Sequence, residues 1–444
     1  MKIFISICKT PLYKLPLYKL PLYKIPLYKI PFGRLQTFQT VKRIIPILLF
    51  ITNICGAQIV GIQRIEADTT PALNMDALYN RPFLQASKLP LAIGGYVEAN
   101  TQYAQTNGVS DDGYAFQFRR MTLFFSSTVA QKIKFMSEIE FEDGTKEINI
   151  ESAITDITFH PLLNLRAGIL LNPIGSFNQN HDSPRWDFID RPLMATGIIP
   201  TTLSNIGLGL HGKHFVNQWI MGYEAYLTNG FNDKIISNAS NRTNLDAGKS
   251  DPDKFEKSNS GLPTFTGKAA IRHRKWGEIG LSCMTGIFNK WKSEGLILDA
   301  KRRVSIVALD FNTNLFQNLL QITGEAAKVY VDVPSTYTQS YGKQQFGVFV
   351  DIVGTILKQK MFYWDKAQLN IGLRGEYVDY NQGKFKETGS KIADDQWSIT
   401  PSIAFRPVGT TVIRFNYRHQ RQHDLLGNPA TKTGIIQFGL ATYF

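Results

Sequence analysis

Segment after segment of this chain alternates apolar and polar residues with period two, and the segments are long. In "KIKFMSEIEFED", Ile133, Phe135, Ser137, Ile139 and Phe141 point one way, and Lys132, Lys134, Met136, Glu138, Glu140 and Glu142 the other. "LNLRAGILLNP", "QLNIGLRGEY" and "TTVIRFNYRHQR" repeat the pattern, with Arg166, Arg374, Arg414 and Arg418 on their polar faces. Such alternation puts residues i, i+2 and i+4 on one face of a strand. About sixteen of these segments run from 94–106 to 434–444. Many hold ten to thirteen residues. Soluble strands usually hold about 5–6, whereas a tilted strand crossing a bilayer needs about 9–11. The pattern predicts an all-β fold, a transmembrane antiparallel β-barrel of about 16 strands built from residues 91–444.

The connections alternate too. "HPLLN", "RKWGE" and "RPVGT" are short, while 173–204, 230–262 and 381–395 are long and polar. Short periplasmic turns and long extracellular loops are the outer-membrane arrangement. A β-sandwich also alternates, but strands of this length would make it unusually tall. Tyr96, Tyr103, Tyr114, Trp219, Tyr226, Trp276, Trp291, Trp364, Trp397, Tyr443 and Phe444 lie near segment ends, as girdle aromatics do. The chain closes on "GIIQFGLATYF". A barrel must pair its last strand with its first, since no edge can stay unpaired in lipid. Phe444 is therefore expected beside 94–105. This ending also resembles the C-terminal signal read by the outer-membrane barrel assembly machinery, in Gln437, Gly439 and Phe444, with Thr442 where a hydrophobic residue is usual. Outer-membrane lipid and that machinery are the first expected partners, and the cell outer membrane of a Gram-negative type bacterium the expected location.

The N-terminal part reads differently. "PLYKLPLYKLPLYKIPLYKI" repeats a pentad with a proline in each, which suits neither helix nor strand. Val41 precedes Lys42-Arg43 and the apolar run from Ile44 to Cys55, which ends in "CGAQ". A basic start, a short apolar core and a small-residue end describe a signal peptide over 41–57, cut after Ala57. Residues 1–40 are then an upstream segment, with Val41 as a candidate start, and 58–90 an extended periplasmic linker. Residues 1–57 hold nine basic residues and no acidic ones, so thirteen less nine leaves +4 on the rest. The basic balance gives no ground for nucleic-acid binding. Cys283 alone is left beyond Cys55, so no internal disulfide is expected.

From about Leu91 onward the chain resembles the phosphate-selective porin O and P family of bacterial outer membranes. The resemblance is carried by "FQFRRMTLFF", "KIKFMSEIEFED", "LRAGILLNPIG", "RWDFIDRPLM", "GLGLHGK" and "YEAYLTNG" in that order. It implies a sixteen-stranded barrel, often a homotrimer, with a long loop folded into the lumen; 173–204 is the candidate loop, and Asp190 and Arg191 are its candidate anchors. Family members selective for phosphate line the pore with Arg and Lys, which attract and partly dehydrate the anion. Here the polar faces carry eleven basic and eleven acidic residues, a balance that points to a general porin. Strict alternation allows only one of Arg119 and Arg120 to face inward. The candidates for contacting anionic or neutral solutes are Arg119 or Arg120, Arg166, Arg374, Arg414 and Arg418.

The sequence therefore predicts passive diffusion of small hydrophilic solutes or ions, with no catalysis and no metal or cofactor, by a trimer or a monomer. His181, Asp182 and Ser183 are adjacent on a loop, where neighbours seldom converge on one substrate atom, so lipid hydrolysis is a weak alternative. His211 and His214 differ by three and fall on opposite strand faces, which rules out a simple shared metal site. A barrel that binds or adheres through its loops is the other alternative. A gated importer with an internal plug is not expected, since 58–90 is too short to fill a barrel.

Overall fold

The computed structural model describes residues 73–82, 84, 91–240, 242–336, 342–385 and 387–444. The repeat, the signal peptide and the proposed start and cleavage points lie outside the described residues. The barrel strands are β1 (Ala92–Thr106), β2 (Val109–Ala130), β3 (Ile133–Glu142), β4 (Glu147–His160), β5 (Leu163–Leu171), β6 (Ser204–Val216), β7 (Trp219–Thr228), β8 (Thr264–His273) and β9 (Gly277–Ile287). After a small hairpin, β10 (Lys292–Ser293) and β11 (Leu296–Ile297), come β12 (Arg303–Leu315), β13 (Leu320–Val331), β14 (Gln344–Met361), β15 (Trp364–Asp379), β16 (Asp395–Val408), β17 (Thr411–Gln422) and β18 (Thr431–Tyr443). Each barrel strand pairs antiparallel with its chain neighbour, and β18 returns to β1, so sixteen strands close the barrel. Gly95 and Phe444 exchange backbone hydrogen bonds of 3.1 and 2.9 Å at the seam.

Alternation explains the wall. On β3 the carboxylates of Glu138 and Glu140 are fully buried inside, while Ile139 and Phe141 lie on the outer face. Leu208, Leu210, Leu281, Phe415 and Phe438 are among the exposed apolar residues of the exterior. A closed barrel with an apolar outside and a charged inside is the form in which strands cross an outer membrane. This chain is an outer-membrane β-barrel.

Three aromatics depart from the girdle expectation. Tyr96, Tyr226 and Tyr443 face inward and are buried. Each hydroxyl meets a lumen charge there: Tyr96 donates to Glu140 at 3.1 Å, Tyr443 donates to Asp182 at 2.8 Å, and Tyr226 accepts from Arg166 at 2.8 Å.

The expected linker also departs from its prediction. Residues 73–81 lie inside the barrel, with Leu73, Met75 and Leu78 buried. Wall carboxylates accept their backbone and side-chain donors: Asn74 N–H reaches Glu278 at 3.0 Å, and the Tyr79 hydroxyl bonds Asp156. This stretch lacks a periodic pattern of its own, and its polar groups are satisfied by the lumen instead.

Candidate functional site

The site is the lumen, and the connection 172–203 between β5 and β6 crosses it. This connection has little ladder pairing, so its N–H groups need other acceptors. The wall supplies them. Glu325 accepts from Ser176 N–H at 2.8 Å and Phe177 N–H at 3.0 Å, and Asn416 from Ile189 N–H at 2.7 Å. Glu376 accepts from Leu193 N–H at 2.6 Å, and Gln179 donates to Glu224 at 2.9 Å. These partners sit on β13, β17, β15 and β7, so the loop is tied to well-separated parts of the ring.

One margin of the loop is fastened by charge. Asp190 receives Arg119 at 2.6 Å, Gln437 at 2.8 Å and Arg418 at 3.2 Å. Burial works against the Asp190 charge, but the Arg119 and Arg418 guanidiniums outweigh it and hold the carboxyl well below the usual carboxylate range. Arg191 donates to the Thr201 carbonyl at 3.0 Å and to Glu140 at 3.4 Å. Arg414 bridges Glu98 at 3.0 Å and the Phe188 carbonyl at 2.8 Å, and Arg406 binds Asp187 at 2.8 Å. Arg374 grips Asp351 through two 2.7 Å bonds and reaches the Asp190 carbonyl at 2.7 Å. On β5, Arg166 grips Asp156 of β4 with bonds of 2.7 and 2.8 Å.

Arg119 and Arg120 both turn inward, against the expectation that only one would. The register passes from Glu98 opposite Arg120 to Ala99 opposite Phe118, so Arg119 is the extra residue of a β-bulge. Arg120 then meets Glu98 at 3.1 Å while Arg119 meets Asp190. The six candidate arginines thus share one property: each has an intramolecular carboxylate partner. They lie on four strands, Arg119 and Arg120 on β2, Arg166 on β5 three strands further round, Arg374 on β15, and Arg414 and Arg418 on β17.

The other margin of the loop is fastened by apolar packing. Ile174, Phe177, Met194, Ile198 and Ile199 from the loop join Phe231, Ile235, Ile236 and Leu245 from the connection 229–263. Together they cover Met284, Val304, Ile306, Ala308, Ala327, Val329 and Phe349 on the inner faces of β9, β12, β13 and β14. Strand phase alone does not anticipate this apolar stretch. The signal was present in "VSIVAL", which is apolar on both faces and so marks a strand covered on both sides.

The loop and the inserted segment 73–81 meet at Arg81. Its guanidinium bonds Asp182 at 2.8 Å and Glu138 at 2.9 Å, all three being buried. His181 uses Nε2 on Glu138 at 3.2 Å and Nδ1 on the Asn178 carbonyl at 2.9 Å. Ser183 instead accepts from Arg414 at 3.0 Å, so His181, Asp182 and Ser183 do not form a nucleophile–base relay. Glu138, Glu140 and His181 lie close enough to share a cation. Arg81, Arg120 and Arg191 already neutralise those carboxylates, leaving no net charge to attract one.

Burial would lower the His181 pKa, but Glu138 and Asp182 raise it from 6.5 to about 9. A raised folded pKa adds stability that is complete below the unfolded value and gone once pH passes the folded one. Hydrogen exchange of loop residues 177–183, corrected for intrinsic rate, should therefore show weaker protection as pH rises from 6.5 to 9. His181→Gln should flatten that dependence; an unchanged slope in the variant would assign it to another group.

No protein-family model matches the chain. An uncharacterized protein of Aquifex aeolicus (strain VF5) is 34% identical over 150 residues, covering 32% of this chain and 33% of that protein. The matched stretch thus spans about a third of that relative. Among solved structures, the anion-selective porin from Comamonas acidovorans is similar with 13% identity and a TM-score of 0.49, over 80% of this chain and 99% of that one. The outer membrane channel DcaP of Acinetobacter baumannii gives 12% and 0.49 over 81% and 99%, and Pseudomonas putida OprB 8% and 0.48 over 80% and 94%.

Proposed function

We propose that the barrel passes small hydrophilic solutes or ions by passive diffusion, along the charged margin of its lumen and without catalysis. One observation carries this reading: ionisable groups at membrane depth cluster where β1, β2 and β15 to β17 face the loop, including Glu98, Arg120, Asp190, Arg374, Arg414 and Arg418. Charges are costly inside a membrane and by default mark a solute or ion path. The other margin is covered by the apolar cluster around Phe177 and Ile198, and the charges beside it, Lys268 with Asp310 and Glu325 with the loop N–H groups, are taken up in holding the loop.

Two features set the expected behaviour. The cavities beside Trp186 and Phe188 are about 20 and 10 Å³, room for roughly one water each. Because the loop is tied across the lumen to β13, β15 and β17, conductance should be low for a sixteen-stranded barrel. Each lumen arginine is held by a carboxylate, so an anion such as phosphate must compete for it. Selectivity should be weak, and the phosphate preference of the porin O and P family, if present, modest.

Single-channel recording in a planar bilayer, under a salt gradient and with added phosphate, tests this. Small ohmic steps and a small reversal potential are expected; steps in groups of three would mark a homotrimer. Strong anion preference with block by phosphate would favour the family's namesake role. Silence after verified insertion would remove the channel reading and favour a binding or adhesion role for the loops.

A further inference from the structure

The geometry points to a second, removable insert: residues 73–81 are a plug that closes the periplasmic half of the channel. This rests on the channel reading. The plug enters on the side where the short turns lie. Leu73 and Met75 pack on Ile220 and Ala270, in a space that Gly222 leaves open by having no side chain. Asn74 bonds Glu278 and Asn312, Asp76 pairs with Lys213, Tyr79 bonds Asp156, and Arg81 pairs with Glu138 and Asp182.

Three observations make it removable rather than part of the wall. It pairs with no strand, so its departure leaves the ladder whole. Its apolar contacts are split between two patches, Leu73 and Met75 on Ile220, and Leu78 with Tyr79 among Tyr96, Phe124 and Ile154, each smaller than the core that holds the loop's other margin.

The third observation concerns the wall charges it touches. Asp156 retains Arg166 at 2.7 Å, Glu138 retains His181 at 3.2 Å, and Glu278 retains Arg272 at 3.6 Å. Asp182 retains Tyr443 at 2.8 Å. Lys213 is the wall charge that loses its partner, and it is already a quarter exposed to water. Stripping a sole partner from a buried charge is strongly destabilising, and this lumen avoids that cost on every buried carboxylate. The wall is built to be stable with the plug out.

The test is a reversible lock. Asn74→Cys with Asn312→Cys places thiols where two side-chain amides lie 2.9 Å apart, in a full chain whose native cysteines are serine. A short bis-methanethiosulfonate bridges them, and reductant cuts the bridge. Recordings on the same inserted channels should show several-fold lower conductance while bridged, recovering on reduction. Arg81→Ala, which removes the latch to Glu138 and Asp182 without touching strand pairing, should raise conductance several-fold over the native chain. Equal, measurable currents in bridged, reduced and Arg81→Ala forms would overturn the plug and leave the channel standing. Silence in every form after verified insertion would overturn both.

Discussion

Replacing Asp190 by alanine should raise single-channel conductance several-fold and make it noisier. Asp190 is the point where the loop meets β2, β17 and β18 at once, through Arg119, Arg418 and Gln437. Removing it leaves two guanidiniums facing each other with one anion fewer between them. Arg418 retains Glu376 at 3.0 Å, whereas Arg119 has no second carboxylate within ion-pair distance among the described residues. The pair is neither fully buried nor fully exposed, so the lost anchoring is about 2–4 kcal/mol, between the values for exposed and buried pairs. That is enough to populate a detached margin but not to open the barrel, because no ladder bond is lost. Asp190→Asn retains the hydrogen bonds without the charge and should fall between. Unchanged conductance in Asp190→Ala would show that the loop's charged margin does not limit flow.

A second substitution acts on folding instead. Gly168, mid-strand in β5, has φ +121, a conformation other residues rarely adopt, and a Cβ there would overlap the Ala153 carbonyl oxygen of β4. Strained backbone costs about 1–3 kcal/mol and overpacking against a rigid neighbour about 1–3 more. The overlap falls on ladder atoms between β4 and β5, which cannot yield without parting the strands. Gly168→Ala should therefore fail to reach the folded barrel, and unheated samples should migrate on detergent gels with the heat-denatured form. Gly375→Ala is the control: that position has open space around it and should fold normally. A normally folded Gly168→Ala barrel would show that β4 and β5 can shift apart locally.

The strands were legible because lipid outside and water-facing charge inside impose one rule on every residue. That rule gives sixteen segments, their turns and the seam at Phe444. It fails where a local event breaks the period. The bulge at Arg119 adds a residue, and nothing in "FQFRRMTLFF" distinguishes two inward arginines from one. The insertion of 73–81 was illegible for another reason: its polar groups find partners more than fifty residues away, so no local spacing records them. The arginines were located by strand phase, but their partners were not. Whether a lumen arginine faces a solute or a carboxylate depends on where the loop lies, and only tertiary structure sets that.

The two fastenings of the loop obey different physics. Added salt screens the partly exposed Arg119–Asp190 pair, while the cluster around Phe177 and Ile198 is indifferent to ions and strengthens in excluded salts such as sulfate. Ionic strength therefore does not loosen the loop evenly. It turns the loop about its oily edge like a door on a hinge, so the channel's width becomes a function of the medium that flows through it, and conductance should climb faster than bulk conductivity as salt is added.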